Sequence, residues 1–521
     1  MRIHTAVAYV MILTTCASAM SHKKEIEVGQ PRRPNILFIM SDDHASQAVS
    51  CYNGFLAKVL PTPNIDRLAR EGVRLDNCFV TNSICTPSRA AILTGKYSHK
   101  NGVYTLDDTF DSAQANVARQ LQKAGYLTAV IGKWHLGTEP RGFDYFDVLT
   151  GQGRYYNPLL KRKGNPWSRA NDAGTEHKGY STDVVTDLAL DWLAQQKSDR
   201  PFFLMCQYKA PHRAWDPAPR FKKLFAGQEI PEPANLYDDY AHRSNAARNA
   251  AMMIGRDMNK GDLKQEIPSG LKGIDRLRWS YQVYIKDYLR CVAAVDENIG
   301  RLLTYLDNHQ LTQDTVVIYT SDQGFFLGEH GYYDKRFMYE ESLRMPFVIR
   351  YPREIPAKQV NRDMVTNVDF ASLFLDYAGQ AIPGDMQGRS FRANLKGNTP
   401  TDWRQAMYYR YWMHQTHHGV PGHYGIRTQD HKLIFFYGHG LDMKGTDRPN
   451  TERINFSPTT PEWELFDLKK DPAEMNNVYH DPAYAQVVKQ LKAQLLDLKK
   501  DLGDTDDQYP EMFERVKKYW D

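Results

Sequence analysis

The sequence predicts a large α/β domain, built on a doubly wound and mainly parallel sheet, followed by a smaller α+β domain with an antiparallel sheet. Three observations carry this. First, four short runs are almost continuously apolar: Asn35 to Met40, Leu127 to Ile131, Phe202 to Cys206 and Val316 to Tyr319. Such runs fit strands buried on both faces, as in a parallel sheet covered by helices. Second, stretches with apolar residues at helical spacing lie between them, which is the βα alternation of a doubly wound sheet. Third, the pattern changes after about Ala381, and shorter alternating segments take over.

The elements follow in order. Residues 1–19 read as an export signal: Arg2 and His4 precede an apolar run, Ala6 to Thr15, and then the small-x-small pattern Ala17-Ser18-Ala19. That run is about ten residues, too short to span a bilayer. Cys16, after Leu13-Thr14-Thr15, offers a lipoprotein-type tether as the alternative processing. No later segment reaches transmembrane length. The expectation is an exported chain, periplasmic or secreted, soluble or tethered through Cys16. Residues 20–384 form the predicted catalytic domain. Val117 to Lys123 is a helix closed by Gly125, and Tyr180 to Gln196 and Tyr281 to Asn308 are further helices. The stretch 209–280 is polar, broken by prolines and weakly periodic, which suggests a long insertion near the site. From 385 to 521 the sequence predicts the second domain. Ala406–Trp412, Tyr424–Arg427, Lys432–Tyr437 and Trp463–Leu468 are its strands, and Pro482 to Leu502 is an amphipathic helix.

Composition excludes several classes. Lys plus Arg exceed Asp plus Glu by 66 − 62 = 4, too little to argue for nucleic acid as a partner. The cysteines are Cys16, Cys51, Cys78, Cys85, Cys206 and Cys291, with no CxxC spacing, so neither a zinc ribbon nor a dense disulfide scaffold is supported. Five remain beyond the signal, and an odd number leaves at least one unpaired or chemically used.

Polar residues gather where a doubly wound sheet binds its ligands, beyond the carboxyl ends of the strands. Asp42 and Asp43 end the first run, Lys133 and His135 follow the second, His212 the third, and Asp322 and Gln323 the fourth. Three carboxylates and an amide oxygen suit a hard divalent cation, Ca²⁺ before Mg²⁺, and argue against zinc.

The most specific segment is Cys85-Thr86-Pro87-Ser88-Arg89, continued by Ala90-Ala91-Ile92-Leu93-Thr94-Gly95-Lys96. It resembles the defining motif of the formylglycine-dependent sulfatases. The blocks Asn35 to Asp43, Pro63 to Leu68, Gly132 to Gly137, Tyr319 to Lys335 and Glu464 to Leu468 also look like family blocks in family order. The resemblance implies an alkaline-phosphatase/sulfatase-like fold. It implies that Cys85 is converted to Cα-formylglycine by a formylglycine-generating enzyme, a partner during biogenesis. A hydrated aldehyde carries two hydroxyls on one carbon: one attacks sulfur, and the other, once deprotonated, expels sulfate and restores the aldehyde. One Ca²⁺ would be held by Asp42, Asp43, Asp322, Gln323 and the modified Cys85. Relatives often carry Asn or His at the position of Gln323, and Gln is likewise an oxygen donor. Arg89 would hold the hydrate, Lys133 and Lys335 would bind sulfate oxygens, His135 would take the proton of the second hydroxyl, and His212 would protonate the leaving alcohol.

Export, a strand-end cleft and a second domain fit a carbohydrate sulfatase. The blocks around Gly151-Gln152-Gly153, Ala210-Pro211-His212-Arg213 and Met338 to Pro346 look most like bacterial N-acetylglucosamine-6-sulfatases of glycosaminoglycans. The expected substrate is therefore a sulfated glycan, cut in exo fashion at a 6-O-sulfate. Iduronate-2-sulfate and N-acetylgalactosamine-6-sulfate are the alternatives within the family. A phosphoesterase or phosphonate hydrolase of the same fold, and a non-enzymatic binder of sulfated glycans, stand further off. Candidates for gripping the sugar are the 151–180 loop and His414, His417, His418 and His423; His330 reads as structural.

Overall fold

The computed structural model describes Met1 and residues 33–167, 174–196, 199–440 and 457–520. The signal reading of residues 1–19, with Cys16, lies outside them apart from Met1. Pro34–Asp521 form one compact unit. In chain order its first strands are β1 (Asn35–Ser41), β2 (Val73–Leu75), β3 (Cys78–Phe79), β4 (Leu127–Lys133), β5 (Tyr145–Leu149), β6 (Leu159–Arg162), β7 (Thr175–Glu176), β8 (Phe202–Gln207), β9 (Thr315–Ser321), β10 (Phe326–Leu327), β11 (Tyr333–Asp334), β12 (Phe347–Arg350), β13 (Gln359–Asn361) and β14 (Val365–Thr366). Ten of them make one sheet in the order β13-β2-β12-β9-β1-β8-β4-β5-β6-β7.

The four predicted runs are its centre, β9-β1-β8-β4, and all three pairings among them are parallel. Their side chains are buried on both faces, which is why these strands lack a polar alternation. Antiparallel strands sit toward the edges, where β12 pairs with β9 and β6 with β5. Helices cover both faces. Phe38 and Phe203 meet Phe374 of the helix Asp369–Tyr377. Tyr208, of opposite parity to Phe203, hydrogen-bonds Thr186 of the helix Ser181–Ala194 on the other side. The helix Gly273–Asn308 runs 36 residues on that second side and presents a buried stripe. The 209–280 stretch is mostly irregular, with the short helices Asn245–Asn249, Ile254–Asp257 and Lys260–Leu263 before that long helix begins.

The C-terminal part holds β15 (Ala406–Tyr411), β16 (His423–Thr428), β17 (His431–Phe436) and β18 (Glu462–Asp467), an antiparallel sheet in sequence order. The helix Ala485–Leu502 packs on it through Leu491 and Leu495, closing a core of Tyr408, Trp412, Tyr424, Leu433, Phe435 and Trp463. The other face of the small sheet joins the main core through Met407, Tyr409, Phe436 and Phe466. Tyr409 fixes the two sheets together: its hydroxyl accepts from Ser83 N (3.2 Å) and donates to Arg336 O (2.6 Å). Both partners flank site residues, so the small sheet helps position the site.

Candidate active site

The carboxyl ends of the four central strands converge as predicted. Past β1 the chain turns at Asp43, whose φ of 65° lies in the left-handed region that Asp tolerates better than most residues. Tyr288 of the long helix locks this turn, donating to Asp43 O (2.7 Å) and accepting from Ala45 N (2.9 Å). Asp43 N donates to Asp322 Oδ1 (3.2 Å), which ties the end of β1 to the end of β9. Asp42, Asp43 and Asp322 place carboxylate oxygens within 4.8 Å of one another, all buried.

Cys85 opens the buried helix Cys85–Thr94, which Gly95 ends with a left-handed residue. The helix N-terminus therefore faces the carboxylates. Cys85 Sγ donates to Asp42 Oδ1 (3.3 Å), and Gln323 Nε2 lies 3.8 Å from Sγ. One turn on, Arg89 lies beneath the site. Its Nε and Nη2 donate to Asp322 Oδ2 (3.0 and 2.8 Å), and its Nη1 donates to Lys133 O (2.8 Å) and Gln207 Oε1 (2.7 Å). Lys133 leaves β4 after Gly132, where a side chain is excluded: a Cβ would lie 1.9 Å from Gln207 O, and φ is +102°. Lys133 Nζ donates to Asp42 Oδ2 and to Gln152 Oε1 (2.6 Å). From the β10–β11 hairpin, Lys335 Nζ donates to both oxygens of Asp43 (2.6 and 2.7 Å). His212 Nε2 lies 3.8 Å from Asp43 Oδ2, and His135 Nδ1 lies 3.4 Å from Thr86 Oγ1, beside Cys85.

Electrostatics follow from burial. Burial, more than the repulsion of Asp322 and Asp43, pushes the Cys85 thiol up to about 12. At neutral pH it is an un-ionised thiol and a poor nucleophile in its own right. Burial also lifts Asp43 to about 6, against the pull of Lys335. Burial alone would depress Lys335, but Asp43, Cys85 and Asp334 outweigh it and hold the ammonium above its ordinary range. Burial and then Lys133 push His135 and His212 well below theirs, so both rings are neutral before an anion arrives.

The donor set fits a hard cation. Three carboxylates meet at one point, and the amide of Gln323 sits beside them. Its Nε2 donates to Asp43 Oδ1, while its Oε1 is buried without a hydrogen-bond partner. Turning the amide over would aim Oε1 at the carboxylates' meeting point and give a cation a fourth oxygen.

All the predicted site residues thus lie in this cluster or at its edge. The C-terminal histidines divide. His414 bonds backbone at Gly422 N and Ser457 O, and His423 is packed among Tyr409, Tyr411 and Phe436, so neither faces the site. His417 is exposed. His418 reaches the site's rim, with Nε2 3.3 Å from Asp334 Oδ2 and 3.4 Å from Arg213 Nη1. His330 is enclosed by Arg243 and Asp238. Of the 151–180 loop, residues 168–173 lie outside the described residues. Gln152, Gln207 and Lys209 are additions to the predicted set. Gln207 is the last residue of β8, Lys209 follows it by two residues, and Gln152 follows β5 by three, so all three sit at or just past a strand's carboxyl end, the signal that found the others.

A model of the sulfatase family, described simply as "Sulfatase", matches residues 34–380. The chain belongs to the sulfatase family. A second model, for the C-terminal part of N-sulphoglucosamine sulphohydrolase, matches residues 328–447 and 443–501. An N-acetylglucosamine-6-O-sulfatase of Bacteroides thetaiotaomicron is 44% identical, over 94% of this chain and 90% of its own. The human N-acetylglucosamine-6-sulfatase is 27% identical over 73% of this chain and 67% of its own. A solved sulfatase-fold structure in complex with its substrate, D-glucosamine-2-N,6-O-disulfate, is 44% identical with a TM-score of 0.82, covering 91% of this chain and 99% of that one. A phosphonate monoester hydrolase from Silicibacter pomeroyi, at 22% identity and a TM-score of 0.68 over 90% and 95% of the two chains, shares the fold alone. The protein is a sulfuric ester hydrolase. Among the described residues no helix is long and apolar enough to cross a membrane.

Proposed function

We propose that this sulfatase removes the 6-O-sulfate of N-acetylglucosamine at the non-reducing end of glycosaminoglycan fragments, after export to the periplasm or beyond. The observation that carries the substrate is the 44% identity, along nearly the whole chain, with an N-acetylglucosamine-6-O-sulfatase. The rim of the site supports it. Arg213 is held by both oxygens of Asp262 and lies over the ring of Tyr333, while His418 spans Arg213 and Asp334. Such a rim offers fixed donors and acceptors to the hydroxyls of one terminal sugar, and a site that pairs them discriminates against epimers that leave them unpaired. In this reading residues 20–384 carry the chemistry and residues 385–521 wall off the sugar.

Asp42, Asp43, Asp322 and Gln323 would hold one Ca²⁺, which would polarise the sulfate ester and lower the pKa of a coordinated hydroxyl. Cys85, converted to formylglycine by a maturating enzyme, would supply a geminal diol at the helix N-terminus. Arg89 keeps that position anchored, since its fork joins β4, β8 and β9 under the diol. Lys133 and Lys335 neutralise the non-bridging sulfate oxygens. His212 donates its Nδ1 proton to Arg213 O (2.7 Å), which fixes the ring with Nε2 toward the pocket. Burial first, and then the repulsion by Lys133, Lys209 and Lys335, keep this ring neutral; an arriving sulfate offsets the repulsion, so that Nε2 can carry the proton the leaving alcohol needs. His135, beside Thr86, takes the proton of the diol's second hydroxyl.

The test compares sulfate release from N-acetylglucosamine-6-sulfate, N-acetylgalactosamine-6-sulfate and a 2-O-sulfated uronic acid disaccharide. Preference for the first is expected. Preference for either of the others overturns the substrate and leaves the sulfatase standing. N-sulfoglucosamine-6-sulfate belongs in the same panel, because the similar structure holds the 2-N,6-O-disulfate and the C-terminal model is that of an N-sulphoglucosamine hydrolase.

A further inference from the structure

Among the described residues, Lys209 is the one lysine near the carboxylates for which the mechanism above has no use. It follows β8 by two residues. Alternation puts it on the side of Gln207, whose Oε1 receives Arg89, and opposite Tyr208, which faces the helix Ser181–Ala194. The backbone here abuts the metal-binding turn: Tyr208 N donates to Met40 O (2.8 Å) and Asp42 N to Ala210 O (3.4 Å). β8 is also the strand between β1 and β4, so Lys209 emerges between Asp42 and Lys133.

Its environment differs from that of the other cations of the site. Arg89 has Asp322, Lys133 has Asp42, and Lys335 has Asp43. Lys209 is just as buried, at 4% exposure, yet no carboxylate pairs with it among the described residues. Its Nζ has a long contact with Arg213 O (3.4 Å) and sits 4.9 Å over the ring of Tyr155. A carbonyl at that distance and a ring face are weak substitutes for a counter-ion, and a buried ammonium without one is costly. Arg89, Lys133 and Lys335 each pair with a carboxylate that the proposed Ca²⁺ would also engage, whereas Lys209 has no carboxylate of its own among the described residues. It remains mostly protonated at neutral pH: burial lowers it to about 8, with Asp43 opposing.

We propose that Lys209 is a third anion-binding lysine of this pocket, whose counter-charge is the sulfate group of the substrate and of the released product. Tyr155 then has two tasks. Its ring supports the ammonium, and its hydroxyl, donating to His212 O (2.6 Å), holds the same loop in place. The inference rests on the sulfatase activity of the chain.

The experiment uses the full-length, matured enzyme and the variants Lys209→Met and Lys209→Arg. Inhibition by inorganic sulfate and the separate KM and kcat values are measured on an activated aryl sulfate and on N-acetylglucosamine-6-sulfate. For Lys209→Met the sulfate inhibition constant and both KM values are expected to rise about tenfold, the loss of one partly screened charge contact. Lys209→Arg is expected to restore most of the affinity. If Lys209→Met does not fold, Lys209→Gln, which keeps a donor for Arg213 O, carries the same comparison. An unchanged sulfate inhibition constant in a folded variant overturns the proposal. So does a loss confined to kcat on the sugar sulfate, which would make Lys209 a support of His212. Failure of the wild type to release sulfate from the aryl ester would instead overturn the activity on which the inference stands.

Discussion

Replacing His212 with Ala separates leaving-group protonation from every other function of the site. The ring is anchored by one hydrogen bond, Nδ1 to Arg213 O at 2.7 Å, and the loop that carries it is held independently by Tyr155 on His212 O. Deleting the ring therefore costs about 1 kcal/mol of folding stability, the net worth of one such bond. What it removes from catalysis is larger. A positioned general acid contributes about 10²- to 10⁴-fold, which is about 3 to 5 kcal/mol at about 1.4 kcal/mol per tenfold. That loss is felt only where the leaving oxygen needs the proton. A sugar alkoxide is a poor leaving group, whereas an activated phenolate departs without help. In steady-state assays, His212→Ala is expected to lose about 10²- to 10⁴-fold in kcat/KM on N-acetylglucosamine-6-sulfate and less than about tenfold on an aryl sulfate. Equal losses on the two substrates, in a variant that melts near the wild-type temperature, would refute the assignment.

Cys85→Ser is expected to be inactive on both substrates, because a single hydroxyl cannot expel the sulfate it has accepted; mass spectrometry of the wild-type peptide should find formylglycine, and a near-wild-type rate in the serine variant would end this mechanism. Removing divalent metal with a chelator should abolish turnover and added Ca²⁺ should restore it, and restoration by zinc but not calcium would contradict an all-oxygen site. Asp504→Asn probes the C-terminal sheet, where Asp504 receives Arg410 Nη1 (2.6 Å) and the hydroxyls of Tyr408 (2.6 Å) and Tyr509 (3.0 Å). Burial would raise this carboxyl, but Arg410, His99 and Lys499 pull it down to about 2 from 3.8, which stabilises the folded state by about 2 kcal/mol at neutral pH. Because the folded-state value is the depressed one, that stability is complete above about pH 4 and is lost as pH falls toward 2. Denaturant unfolding should find the variant weaker at pH 7 and the gap narrowing in acid, and a gap that does not change with pH would place the cost elsewhere.

The parts of the fold that could be read from sequence are those whose physics is local. β1, β4, β8 and β9 are buried on both faces, so each is written as an apolar run, and their order along the chain already implied a parallel arrangement. The edges were not legible: β2 has three residues and β7 two, and their pairing depends on strands far away in sequence. Nor was the start of the long helix, expected at Tyr281 and found at Gly273: Ile274 and Leu277 stand at helical spacing, but they are interrupted by Asp275, Arg276 and Arg278, and no residue before Ser280 is buried. The site divides along the same line. Asp42, Asp43, Asp322 and Gln323 end strands, and the Cys85 motif is contiguous, so composition and position betrayed them. His418 could not be told from His414 and His423, which share its neighbourhood in sequence and point elsewhere. What distinguishes His418 is contact with Asp334 and Arg213, and those lie on β11 and on the loop after β8. Lys209 is the intermediate case. Its place after β8 was visible, but its significance lies in what is not beside it. A missing counter-ion has no signature in a sequence, and it emerges only when the partners of Arg89, Lys133 and Lys335 can be named one by one.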